Sequence, residues 1–294
     1  MKISVSSYSF SSYIRGGKMT QFDTVKKAAE LGFEGIEFTT LVPNSSPTKE
    51  EKLEYARKIK AEAEKCGIEI VAYCVSARLF QLTKEDNASV LKAVLDEVDV
   101  AAELGVPVMR HDVTWSVKFG ENGEKTVSFD HQLPLITENV RKITEYAKKK
   151  GIRTCSENHG HVAQDSDRIE RLYNAVADEN YGILVDIGNF ACVDENPITA
   201  VSRVAPYAFH VHAKDFYKTN FGEENTRSGG HITRACNILH GCVIGDGIIP
   251  VKHCIAVLKK AGYDGFVSIE YEGADDCIKA LARGLNNLRS YIEE

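Results

Sequence analysis

The chain has 294 residues, more than an average domain but ordinary for a closed α/β barrel. With 43% apolar and 27% charged residues it can bury a sizeable core. The formal net charge of −6 argues against nucleic acid as a partner, because phosphate contacts need clustered Lys and Arg, and no apolar run approaches the roughly 20 residues that span a bilayer.

The opening MKISVSSYSF alternates like a strand, Ile3–Tyr8, and lacks the apolar stretch of a secretory leader. Eight scattered cysteines with no CxxC pair read as core thiols in a reducing cytosol, so a cytoplasmic location is expected. Phe22, Val25, Ala28 and Ala29 share one face of a helix over Gln21–Leu31, and Gly32 ends it. Strand Gly35–Phe38, helix Thr48–Cys66 and the nearly continuous apolar strand Ile68–Val75 follow. The unit then repeats: helix Lys84–Leu104, strand Pro107–Arg110, helix Leu133–Lys150, strand Ile152–Ser156, helix Ser166–Ala177, strand Ile183–Asp186. Helix Ile198–Val204, strand Ala208–Ala213, helix Val251–Ala261, strand Phe266–Tyr271 and helix Asp275–Ile292 complete it.

Eight strands alternating with eight helices predict the α/β class, a single (β/α)8 TIM barrel over residues 1–294 with its active site at the C-terminal ends of the strands. No Gly-rich fingerprint follows the first strand, which removes the main argument for a dinucleotide-binding open sheet. Two long segments, Trp115–Asp130 and Tyr217–Pro250, read as loops on the active face.

Four strand ends carry metal-competent side chains: Ser156-Glu157-Asn158-His159-Gly160, Val185-Asp186-Ile187-Gly188-Asn189, His210-Val211-His212-Ala213-Lys214-Asp215, and Ile269-Glu270-Tyr271-Glu272-Gly273. Buried charge is costly unless paired or metal-bound, and four consecutive strands bearing it by accident is improbable. A mixed set of carboxylates and imidazole suits Mn²⁺, Mg²⁺, Co²⁺ or Zn²⁺.

These pieces, together with GFEGIEF at 32–38, IGDG at 244–247 and GYDGFVSIEYEG at 262–273, resemble the xylose isomerase-like superfamily of sugar isomerases and epimerases along essentially the whole chain. The resemblance implies one divalent metal, manganese first, held by Glu157, Asp186, His212 and Glu270. It implies that Glu157 and Glu270 also act as the acid/base pair on a small carbohydrate. The expected reaction is isomerisation or epimerisation of a sugar or sugar phosphate through an enediolate. His159, His111, Asn189, Lys214 and Glu37 are the expected substrate contacts by their strand-end positions. Assembly into closed symmetric oligomers is common among such enzymes.

Asn189 stands where many keto-sugar epimerases of that superfamily carry a His. The runner-up is therefore a lyase of the same barrel, an inosose dehydratase or a 3-keto C-glycoside-cleaving enzyme. For a metal-dependent apurinic endonuclease, the remaining alternative, this chain lacks the extra His and Asp ligands that the resemblance would require. A non-catalytic sugar-binding barrel would have no reason to keep the whole ligand set.

Overall fold

Eight parallel strands pair in strict chain order and close on themselves, β1 against β8. They are β1 (Lys2–Ser6), β2 (Gly35–Thr39), β3 (Glu69–Val75), β4 (Val108–His111), β5 (Arg153–Glu157), β6 (Tyr181–Asp186), β7 (Ala208–Ala213) and β8 (Phe266–Ile269). The main outer helices are α1 (Gln21–Leu31), α2 (Lys49–Cys66), α3 (Lys84–Leu104), α4 (Phe129–Lys148), α5 (Ser166–Val176), α6 (Pro197–Val204), α7 (Val251–Lys260) and α8 (Cys277–Glu293). The computed structural model describes residues 1–119, 123 and 125–294. This is the expected (β/α)8 barrel. No helix among the described residues is long and apolar enough to cross a membrane.

Local chemistry fixes the helix ends. Thr20 and Asp23 form a capping box on α1, and Thr48 and Glu51 form one on α2. Gly32 and Gly67 close these helices at φ 87° and 67°, where a Cβ would strain the backbone.

Two packing regions follow from strand alternation. Side chains facing outward join the helices in one large core, from Ile3 and Val5 to Leu285 and Leu288. A small separate cluster of Val71, Ala72, Cys74, Val108, Cys155 and Leu184, with Phe209 and Phe266 against it, fills the barrel interior. Phe209 is the extra residue where β7 slips register against β6: Ile183 pairs with Ala208 and Leu184 with His210. The bulge turns Phe209 toward Gly182, where an added Cβ would lie 2.4 Å from the ring. The floor of the barrel is therefore apolar, and the polar side chains lie above it.

Several boundaries depart from the sequence reading. β1 ends at Ser6, and Ser7–Phe10 turn into a 3₁₀ segment ahead of a short helix, Ser11–Arg15. α4 begins at Phe129 rather than Leu133, because Ser128 caps it and Pro134 is accommodated inside the helix. The segment expected as a loop after strand seven is folded: Asp215–Thr219 pairs antiparallel with Ile238–Cys242, which pairs with His231–Ile232. The segment after β4 holds a two-residue ladder, Lys118–Phe119 with Lys125–Thr126. Residues 120–122 and 124 of that segment lie outside the described residues.

Candidate metal centre

Glu157 ends β5, Asp186 ends β6, His212 lies near the end of β7, and Glu270 follows β8 directly. Their ligand atoms all lie within 4.8 Å of one another. His212 Nδ1 is the centre of the group, at 3.8 Å from Glu157, 3.9 Å from Asp186 and 3.6 Å from Glu270. The four residues expected as ligands are thus brought together, and the first three are almost wholly buried.

Neighbours fix each member differently. Arg110 Nη2 holds Glu157 Oε2 and lies 2.9 Å from Asp112 Oδ1. Asn189 Nδ2 donates to Glu157 Oε1 at 2.8 Å, so both oxygens of Glu157 are engaged. Asp186 Oδ1 accepts from the backbone N–H groups of Gly188 and Asn189 at 2.8 and 3.0 Å. Lys214 Nζ sits between Glu270 (2.6 Å), Asp186 (3.2 Å) and Glu272 (3.4 Å). Glu270 is the most accessible ligand, its side chain 13% exposed.

The electrostatics call for a further cation. Glu37, Asp112, Glu157, Asp186, Glu270 and Glu272 crowd a region whose permanent cations are Arg110 and Lys214. Burial, together with the neighbouring Glu157 and Glu270 charges and against the pull of Lys214, pushes the Asp186 carboxyl up to about 6. Burial would raise Glu157 too, but Arg110 together with His212 and His159 outweighs it and holds that carboxyl well below the usual range. Among the described residues, His212 Nδ1 is buried with no hydrogen-bond partner, and Asp186 Oδ2 has none beyond the Lys214 ammonium 3.2 Å away. Under-satisfied acceptors in a negative, mixed oxygen/nitrogen pocket fit one divalent cation.

The remaining expected contacts divide. His159 is at the rim, 32% exposed, with Nδ1 2.9 Å from Asp112 Oδ1 and the edge of Trp115 packed on its ring. Burial disfavours its charge, but Asp112 prevails and raises its pKa. Asn189 and Lys214 are inside the cluster and bind protein groups. Glu37 is fully buried and lies 2.6 Å from His210 Nε2 and 2.8 Å from His212 Nε2, away from any substrate. His111 is not at the site. It faces outward, fully buried, stacked with Tyr181 at 6.5 Å, and its Nδ1–H donates to the Asp112 carbonyl at 3.1 Å.

The position adjacent to His111 faces the cluster instead. Arg110 points inward, onto Glu157. His210 and Asp112 also belong to the constellation. Period-two alternation offered a signal for them: 110 and 112, like 210 and 212, share a face. Two open hollows flank the cluster, one of about 460 Å³ reaching Arg78 and Trp115, the other of about 390 Å³ reaching Arg227, His231 and Glu272.

A family model for the xylose isomerase-like TIM barrel matches residues 25–291. The inosose dehydratase of Lacticaseibacillus casei is 25% identical over 185 residues, 62% of this chain and 59% of the relative, so the match spans about three fifths of that relative's length. The inosose dehydratase of Geobacillus thermodenitrificans is 24% identical over 285 residues, 95% of this chain and 91% of the relative. Among solved structures, the IolI protein with a bound zinc atom aligns with a TM-score of 0.76 at 13% identity, over 100% of this chain and 98% of that one. D-psicose 3-epimerase from Clostridium cellulolyticum H10, solved with D-tagatose, aligns with a TM-score of 0.74 at 17% identity over 99% of both chains. At those identities the two structures speak for the fold.

Proposed function

The chain belongs to the xylose isomerase-like TIM barrel family, and we propose that it is a divalent-metal-dependent enzyme that dehydrates a keto-polyol of the carbohydrate class. The observation that carries this reading is the unequal treatment of the two glutamates. Glu157 has both oxygens engaged, by Arg110 and Asn189, and is held as an anion. Glu270 is the more accessible carboxylate of the ligand set. A proton relay between two equivalent carboxylates needs both free. A one-base elimination needs Glu270 and a separate acid.

Glu157, Asp186, His212 and Glu270 would hold the metal, which supplies Lewis acidity at the substrate carbonyl oxygen. Glu270 takes the proton from the carbon next to that carbonyl. The freed electron pair forms the carbon–carbon double bond as the carbon–oxygen bond at the β position breaks. His159, whose pKa Asp112 raises, gives its proton to the departing hydroxyl, which leaves as water. Arg110 and Asn189 keep Glu157 in place as a ligand. The name shared by the two sequence relatives, inosose dehydratase, supports elimination from a ring ketone.

Isomerisation or epimerisation is the second reading. It shares the first step and rests on Glu157 and Glu270 lying together around His212 Nδ1.

The test is incubation of the Mn²⁺-loaded protein in D₂O with an inosose and, separately, with free ketohexoses. Dehydration gives a product lighter by one water with a new conjugated-carbonyl absorbance, and His159→Asn slows it by about 10²-fold or more. Deuterium in a recovered stereoisomer with no loss of water would replace dehydration by the second reading. Neither outcome on any ketone, with metal bound, would remove the proposal.

A further inference from the structure

Glu37 poses a physical problem. It lies on β2, across the barrel from the strands that supply the ligands, and none of its surface is exposed. A carboxylate buried this deeply is costly unless its surroundings compensate.

Its partners explain its place. One oxygen lies 2.8 Å from His212 Nε2, an ion-pair contact rather than an aligned hydrogen bond, and the other is hydrogen-bonded to His210 Nε2 at 2.6 Å. The two imidazoles stand two residues apart on the same inward face of β7, nearly perpendicular, with ring centroids 5.7 Å apart. His210 Nε2 is a further 3.3 Å from Ser268 Oγ, which pairs with Ser4 Oγ at 2.5 Å. Cys74 on β3 closes the group with its sulfur near both Glu37 and His212. Below the ligands, therefore, side chains from β1, β2, β3, β7 and β8 form a polar layer between the ligand set and the apolar floor.

We propose that Glu37 is a positioning residue for the metal centre: it holds His212 from below through Nε2, so that Nδ1 is the nitrogen presented to Glu157, Asp186 and Glu270. The carboxylate favours the tautomer with its proton on Nε2, leaving the Nδ1 lone pair toward the ligand set. His210 anchors the second oxygen of Glu37, which fixes the carboxylate plane and hence the imidazole ring. The role extends the metal-binding reading above and rests on it. A carboxylate behind a ligating imidazole commonly contributes 10- to 100-fold in metal affinity.

The experiment is Mn²⁺ and Co²⁺ affinity by chelator competition, with the visible spectrum of the Co²⁺ form, on wild type, Glu37→Leu, Glu37→Asp and Glu37→Gln. Leu removes the contact, Asp withdraws the carboxylate by one methylene, and Gln keeps an acceptor for the Nε2–H. The expected result is a loss of about 10- to 100-fold for Leu and about 10-fold for Asp. Both should alter the Co²⁺ spectrum, and Gln should recover most of the affinity. A merely structural role would move the melting temperature without changing the spectrum or the order of the variants. Wild-type affinity and spectrum in a folded Glu37→Leu or Glu37→Asp protein overturn the inference. If the Leu variant does not fold, Asp decides. Absence of metal from the wild type itself would be a failure of the metal-binding reading, distinguishable because it precedes any comparison of variants.

Discussion

His111 shows how much a side chain's direction matters on a strand with both faces buried. Its strand-end position predicts the active face, yet it points into the packing between barrel and helices, against Tyr181. Burial pushes its pKa down to about 4 from the ordinary 6.5. In the folded protein it stays neutral across the range where the unfolded chain takes up a proton. Stability from this residue is complete above pH 6.5, falls as the pH drops toward 4, and levels off below that. A shift of that size corresponds to about 3 kcal/mol. Urea denaturation at pH 7 and at pH 4.5 should show the wild type losing about 2–3 kcal/mol more than His111→Phe, which keeps an aromatic ring against Tyr181 and cannot titrate. Parallel losses in the two proteins would mean that His111 contributes nothing to the acid sensitivity. Hydropathy alone had no means of separating 110 from 111. Where both faces of a strand are buried, hydropathy carries no parity signal, and only the two-residue spacing from Arg110 to Asp112 marks the inward face. The ligands Glu157, Asp186, His212 and Glu270 escaped this ambiguity because the resemblance fixed them as a set. Glu37 and His210 were harder: they meet across 173 positions of chain, inside the barrel, where no local pattern announces a contact.

At the scale of elements, the periodicities and glycine stops made the eight units legible, whereas the excursion between β7 and α7 was not. Its strands are short, and what folds it is hydrogen bonding to distant loops. Asp194, after β6, accepts from Thr233 Oγ1, the Ala235 N–H and Asn237 Nδ2. Arg234 lies 2.8 Å from Asp165, and His231 lies 3.0 Å from Glu272 beside the metal centre. Asp215 is the main fastening: its two oxygens accept the N–H groups of Phe216, Gly245, Gly247 and Ile249 at 2.8 to 3.0 Å. That clasp explains the Gly245-Asp246-Gly247 turn, since a Cβ on Gly247 would lie 2.2 Å from Asp215 Oδ1. Asp215→Asn replaces one acceptor by a donor facing two backbone donors. Each orphaned buried donor costs roughly 1–3 kcal/mol, so the variant should be destabilised by about 2–4 kcal/mol. Amide exchange should quicken at 245–249 and stay unchanged in α1 and α2, which pack on the other side of the barrel. Protection at 245–249 equal to the wild type would show that the clasp is not what holds the turn.

For the whole molecule, the candidate metal centre would also be a stability device. β5, β6 and β8 bring three carboxylates within a few ångströms of one another around the His212 imidazole from β7, β4 beside β5 adds Arg110, and β2 adds Glu37 from the opposite wall. Without a bound cation the carboxylates repel one another, and the raised Asp186 pKa reflects burial first and the Glu157 and Glu270 charges after it. A divalent ion that binds the folded barrel and not the unfolded chain must stabilise it by mass action, by about 2.7 kcal/mol at a free concentration 100 times the dissociation constant. For a chain of this size that corresponds to a rise in melting temperature of roughly 5 °C. Calorimetry with Mn²⁺ and with chelator should reveal the rise and its reversal. Glu270→Gln removes one ligand charge and relieves part of the repulsion, so its metal-free form should melt at or above the metal-free wild type, while its response to Mn²⁺ should shrink. The two effects have opposite signs, and general damage to the fold would lower both. A metal-free Glu270→Gln protein that melts well below the metal-free wild type would mean that the attraction between Glu270 and Lys214 outweighs the repulsion among the crowded carboxylates.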